Sequence, residues 1–298
     1  MLMPRVITAS HAGVCFGVKR AIALLDEAVA IGKRENRPVL MLGPIIHNPR
    51  FIAQCRERGI IVTDLTGITD HSVVVVRSHG ITRTEEEHLA RFTDIRIVDA
   101  TCPFVQRIHK LVAERSRAGW AIVVLGDASH AEVEGFVSRI EGHYFVHPPD
   151  FSDNAVASLT GFVTQHQQIY AVAQTTSQPA NFATFLQYLL RLSREYGCII
   201  EHQNTVCDAT FQRQNAAREL ARSADVMVVI GGRNSSNTAK LFAIVREQNP
   251  RSFWIETPQE LSETDRAALR TANTVGITAG ASTPDNQIEE LVAFMESL

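Results

Sequence analysis

An α/β protein with small, mainly parallel sheets, repeated as three similar units, is what this 298-residue sequence predicts. Two observations carry the prediction. Short runs nearly continuous in Val and Ile alternate with longer amphipathic stretches, as strands covered on both faces by helices require. Three cysteines, Cys15, Cys102 and Cys207, each head a stretch with the same order of features. Along the chain, "FGVKRAIALLDEAVAIGKR" reads as the first helix, and "PVLMLG", "SVVVVRSH" and "IRIVDA" as the strands that follow it. "DATCPFVQRIHKL" then opens a helix: Pro103 suits the first helical position, where its missing N–H costs nothing, and this puts Cys102 at or near the N-cap. The strand runs "AIVVLGD" and "IYAVAQ" belong to the second unit, and "VMVVIGG", "SFWIET" and "TVGITAG" to the third. No Pro/Gly/Ser-rich linker divides the chain, so the repeat sets the expected boundaries: 1–101 with Cys15, 102–206 with Cys102 and 207–298 with Cys207.

Composition narrows the setting. With 45% hydrophobic residues the chain can bury a sizeable core. A net charge of −3 provides no basic surface for nucleic acid or acidic lipid, although a small anion in a local pocket fits. The opening "MLMPRVITAS" lacks the basic start and long apolar core of a secretory signal. No apolar run reaches the roughly 18 residues of a membrane span, so a cytoplasmic location is expected. Five cysteines make an odd, sparse set there, which argues against a disulfide framework and leaves metal binding, catalysis or burial.

The repeat points to chemistry. Each of the three cysteines is followed within six residues by basic side chains: Lys19 and Arg20, Arg107, and Arg213. A first polar cluster follows at a strand end, His47, then His130, then Ser235, Ser236 and Asn237. A second comes further on: His79, then Thr175 and Thr176, then Ser282. Parallel sheets present ligand groups at the carboxyl ends of their strands, so three units about a pseudo-threefold axis would bring three thiolates together. Three thiolates are one short of a closed tetrahedral zinc site or a fully ligated cubane. If the centre is a [4Fe–4S] cluster, one iron stays open to substrate. The polar residues are rich in donors and poor in permanent positive charge, which suits a phosphate group at helix starts. Cys55 and Cys198 read as small buried hydrophobes. His71, His88, His109, His143, His147, His166 and His202 read as structural or surface residues, and His11 is left open.

With these motifs in order, the sequence resembles the 4-hydroxy-3-methylbut-2-enyl diphosphate reductase family over essentially its whole length. The matching strings are "IIHN", "SHG", "HAEVEG", "QTT", "NSSN" and "TAGAS", together with the three cysteines. The resemblance implies a trefoil-like fold and a [4Fe–4S] cluster on Cys15, Cys102 and Cys207 with one open iron. It implies reductive removal of a hydroxyl from an allylic diphosphate, giving isopentenyl and dimethylallyl diphosphates, with electrons from a ferredoxin or flavodoxin. Substrate binding falls to His47, His79, His130, Thr175, Ser235, Ser236, Asn237 and Ser282. Glu132 is the proton donor, ahead of Glu134, acting with His130 and Thr175. The chain departs from the family pattern at Ala131, where many members have proline, and at Asp127, where some have histidine. Two other readings fit the same residues: a different iron–sulfur reductase or dehydratase for a phosphorylated small molecule, and a colourless zinc protein that binds a phosphate compound without catalysis.

Overall fold

The computed structural model describes residues 4–298; residues 1–3, the start of the first expected unit, lie outside the described residues. In chain order the elements are β1 (Arg5–Thr8), α1 (Phe16–Glu35), β2 (Val39–Leu42), α2 (Pro49–Glu57), β3 (Ile61–Thr63), β4 (Ser72–Val76), α3 (Arg83–Leu89), β5 (Ile95–Asp99), α4 (Pro103–Arg117), β6 (Ala121–Leu125), α5 (Ala131–Val137), β7 (Tyr144–His147), α6 (Asp153–Val163), β8 (Gln168–Ala173), α7 (Pro179–Tyr196), β9 (Ile199–His202), α8 (Asp208–Ser223), β10 (Val226–Ile230), α9 (Ser236–Gln248), β11 (Ser252–Ile255), α10 (Glu263–Arg270), β12 (Thr274–Ala279) and α11 (Asp285–Glu296).

These strands form three four-stranded sheets, ordered β3-β2-β4-β5, β7-β6-β8-β9 and β1-β12-β10-β11. The pairs β2–β4, β4–β5, β6–β7, β6–β8, β8–β9, β10–β11, β10–β12 and β1–β12 are all parallel. The expected α/β class with parallel sheets is therefore what the chain adopts. From one edge, each sheet has the same winding: second strand, first, third, fourth. In the last sheet the fourth place is taken by β1, from the other end of the chain. Cys15 follows β1, Cys102 follows β5 and Cys207 follows β9, so each comes after a fourth strand.

By packing, the chain forms two compact units. One holds the described residues up to Ile22, with Ile46–Val62 and Asp208–Leu298, and contains the β1-β12-β10-β11 sheet. The other holds Ala23–Ile45 and Thr63–Cys207 and contains the β7-β6-β8-β9 sheet with β2, β4 and β5. The cores follow the pleat, in which successive side chains face opposite sides. In β6 and β8, Val123, Leu125, Ala171 and Ala173 enter one cluster with Phe182, Phe185 and Leu189. Ile122, Val124, Tyr170 and Val172 enter another with Ile108, Val112 and Phe136. Val228 and Ile277, against Met227 and Val229, divide between two clusters in the same way.

Candidate functional site

Order-reversing sheets gather ligands at the carboxyl ends of the two strands where the order turns, because the connections leave those ends in opposite directions. Here those strands are β2 and β4, β6 and β8, and β10 and β12. The six segments that follow them carry His47, His79, His130, Thr175, Ser235 and Ser282, so every expected polar cluster lies at a turning point of a sheet.

In the larger unit, β4 leads into Ser78-His79-Gly80. Gly80 has φ +78°, a conformation that side chains other than glycine's rarely take. Ser78 accepts the amide of Cys102 on its carbonyl at 2.9 Å, so the thiol-bearing turn is tied to the histidine-bearing one. The rings of His79 and His130 meet edge to face, with centroids 5.4 Å apart. His130 caps α5: its Nδ1 accepts the backbone N–H of Glu132 at 3.2 Å. That bond makes Nδ1 an acceptor and leaves Nε2 to carry the ring proton. Ala131 is the first residue of α5, a position open to proline and alanine alike, which accounts for that departure from the family pattern. Asp127 accepts the amide and hydroxyl of Ser129 at 2.9 and 2.7 Å and so forms the turn before the cap.

Glu132 is 2% exposed, whereas Glu134 points to solvent. Thr175 clamps the Glu132 carboxylate through both oxygens, its N–H donating to Oε1 and its hydroxyl to Oε2, each at 2.7 Å. The carbonyl of Thr175 in turn accepts the amide of Cys207 at 3.0 Å. One threonine thereby joins the expected proton donor to the residue carrying an expected ligand.

In the smaller unit, Ser235 caps α9, its hydroxyl accepting from the amide of Thr238 at 3.3 Å, and Ser282 donates to Ser235 Oγ at 3.1 Å. Asn237 is half-buried, and its Nδ2 has no partner; the buried hydroxyls of Thr238 and Thr278 have none either. Unspent donors beside a helix start favour an anion there. The glycines around them permit close approach: a Cβ on Gly280 would stand 2.1 Å from Thr238 Oγ1, and one on Gly232 would stand 2.7 Å from the carbonyl oxygen of His47. Cys15 closes a loop in which Gly13 has φ +83°, and the buried Arg213 donates to the Gly13 carbonyl at 2.7 Å. Arg213 stood in the sequence only as a basic residue after a cysteine; its partner lies 200 residues away and leaves no local trace. Asn48 is likewise absent from the sequence candidates, although the Asn-Pro step marks a helix start, and it caps α2.

Among the described residues no group of three or more His, Cys, Asp or Glu side chains is gathered closely enough to hold a metal ion. The thiol chemistry nonetheless suits an iron–sulfur cluster. None of the five cysteines is in a disulfide; Cys15, Cys102 and Cys207 are partly exposed, and Cys55 and Cys198 are buried. Cys102 is the N-cap of α4 and makes no side-chain capping bond, Cys15 immediately precedes α1, and Cys207 immediately precedes α8. Cysteine sulfur is a soft ligand suited to iron–sulfur centres. No helix among the described residues is long and apolar enough to cross a membrane.

Comparison with known proteins matches nearly the whole chain. The sequence profile described as LytB protein matches residues 6–296. A 4-hydroxy-3-methylbut-2-enyl diphosphate reductase of Aquifex aeolicus is 36% identical over 298 residues, covering 99% of this chain and 97% of that protein. One from Geobacter sulfurreducens is 40% identical over 288 residues, covering 96% and 95%. A solved structure of (E)-4-hydroxy-3-methyl-but-2-enyl diphosphate reductase, the terminal enzyme of the non-mevalonate pathway, superposes with a TM-score of 0.71 at 34% identity, over 99% of this chain and all of that one. The structure of the Plasmodium falciparum E-1-hydroxy-2-methyl-but-2-enyl-4-diphosphate reductase superposes with a TM-score of 0.84 at 26% identity, over 98% and 87%. This chain belongs to the LytB protein family.

Proposed function

We propose that this protein reduces 4-hydroxy-3-methylbut-2-enyl diphosphate to isopentenyl and dimethylallyl diphosphates, the last step of the non-mevalonate isoprenoid pathway. The observation that carries the reading is the buried Glu132 carboxylate, clamped at 2.7 Å through both oxygens by a threonine whose carbonyl holds the amide of Cys207. Cys15, Cys102 and Cys207 hold a [4Fe–4S] cluster, which supplies electrons and a Lewis-acidic iron when bound.

The chain's own residues do the rest. His47, His79, Ser235, Ser236, Asn237 and Ser282 bind the diphosphate with imidazole, hydroxyl, amide and helix-start N–H donors. They fix the anionic end and so orient the C4 hydroxyl. The net change consumes two electrons and two protons: the C4–O bond breaks, the hydroxyl leaves as water with one proton, and the second proton goes to an allylic carbon. Glu132 delivers protons, with the Thr175 hydroxyl on its Oε2 and the nearby His130 as the groups that pass them on. Proton delivery to one end or the other of the allylic system decides which product forms. The electrons come one at a time from a ferredoxin or flavodoxin, and the setting is the cytoplasm.

Anaerobic turnover of the hydroxylated diphosphate with an artificial reductant tests the reading. Brown protein carrying a full cluster should form both isoprenoid diphosphates. Brown protein that forms neither would move the assignment to another iron–sulfur reductase or dehydratase, and colourless protein holding zinc would exclude redox chemistry at these thiols.

A further inference from the structure

The segment that carries His47 and the loop that carries Ser282 are joined by a pair of buried amides to which the proposed chemistry gives no role. Asn48 is 2% exposed and Gln287 1%. Asn48 Oδ1 accepts the backbone N–H of Phe51 at 3.0 Å and a Gln287 Nε2 hydrogen at 3.3 Å. Its Nδ2 donates to the carbonyl of Ser282 at 3.0 Å and to Gln287 Oε1 at 3.1 Å. Two accepted and two donated bonds spend the whole hydrogen-bonding capacity of the amide. Starting α2 needs only the bond to Phe51, which a serine would supply equally well. The other three run to a loop and a helix 234 and 239 residues away in sequence.

We infer that the Asn48–Gln287 amide pair is a positioning device for the anion site, holding the backbone of His47 and that of Ser282 in the relation that lets both meet one diphosphate. The inference rests on the anion-site reading above. Two antiparallel amide bonds fix both distance and rotation, which one bond would not. Asn48 is the next residue after His47, and the carbonyl it grips belongs to the serine whose hydroxyl donates to the α9 cap, Ser235. Without the pair, the His47 segment and the Ser282 loop would have to be ordered by the ligand itself, and that ordering is subtracted from affinity.

The test is calorimetric titration of the full chain, purified anaerobically, with inorganic pyrophosphate, alongside melting curves. Wild type should bind, and Ser235→Ala should bind more weakly. Asn48→Ser keeps the cap on α2 and removes the clamp; Gln287→Met removes it from the other side with the cap untouched. Each should weaken binding by about tenfold. The double variant should be no weaker than the worse single one, because both delete the same device. Should Asn48→Ser fail to fold, Gln287→Met decides alone. Wild-type affinity in Gln287→Met, with Ser235→Ala weakened, overturns the inference and leaves the anion site standing. Absence of pyrophosphate binding by wild type overturns both.

Discussion

Glu132 and Glu134 stand two residues apart on one short helix and meet opposite surroundings, because a helix turns two neighbours of that spacing well away from each other. Glu132 is buried against Thr175 and Glu134 is exposed. Glu132→Gln keeps the reach and most of the shape of the side chain but has no transferable proton. Turnover should fall by about 10²–10⁴-fold with iron content and pyrophosphate affinity retained. Glu134→Gln should turn over as wild type does. A wild-type rate in Glu132→Gln would point to water or the substrate's own diphosphate as the proton source. Single residues of this kind are legible in the sequence where a motif carries them, as "HAEVEG" does. Arg213, Asn48 and Gln287 are not, since each is defined by a partner 200 or 239 residues away.

At the scale of elements, six of the eight strands read from sequence have both faces covered, and the other two, β5 and β11, are partly exposed edge strands whose short apolar runs still mark them. β2, β4, β6 and β10 are buried at every position, and β8 and β12 at all but the first. Four strands escape such a reading: β1, β3, β7 and β9. All lie at sheet edges, are three or four residues long and carry exposed or half-exposed positions, so no continuous apolar run betrays them. β1 matters most. The sequence repeat places it in the unit 1–101, whereas it pairs with β12 and supplies the fourth strand of the last sheet. With that assignment, each of the three expected ligand cysteines follows a fourth strand and precedes a helix, which gives a clean test of the thiols. Serine is itself a preferred N-cap, so Cys102→Ser leaves the start of α4 at least as well capped. Its iron per chain should nevertheless fall far below that of wild type, and Cys15→Ser and Cys207→Ser should do the same. Cys198→Ser, in a buried position beside β9, should keep its iron. Normal iron in Cys102→Ser would remove that thiol from the ligand set.

At the scale of the whole molecule, acid sensitivity should come from histidines as well as carboxylates. His109 on α4 is 8% exposed, and burial, reinforced by the Arg139 guanidinium and opposed by Asp99, lowers its pKa to about 4. Its geometry agrees: Arg139 Nε donates to Nδ1 at 2.7 Å, a bond that only the ring without a proton on Nδ1 can accept. His147, at the end of β7 among Phe145, Phe151 and Phe185, is also shifted down by burial, against the opposing effects of the Pro148 carbonyl and Asp150. For both rings the unfolded chain binds the proton more tightly than the folded one. The stability they contribute is complete above the unfolded value near 6.5 and is lost as the pH falls toward the folded one. For His109 that window runs from about 6.5 to about 4 and is worth on the order of 3 kcal/mol. Glu85 behaves as carboxylates usually do: burial raises it, but the Thr82 amide and Arg77 prevail and hold it low, so its contribution disappears only at still lower pH. His109→Asn leaves an acceptor for Arg139 and does not titrate, at the cost of a cavity that is the same at every pH. In a Trp254→Phe background, Trp120 is the only remaining indole and reports on the unit that holds both histidines. Urea unfolding from about pH 7.5 to about pH 4 should then show the stability gap between the parent and its His109→Asn variant closing as the pH falls, because the imidazole gives up its share and the amide has none to lose. A gap that stays constant across that range would mean that His109 keeps its ordinary pKa in the folded chain, and that the acid sensitivity of this unit begins with its carboxylates.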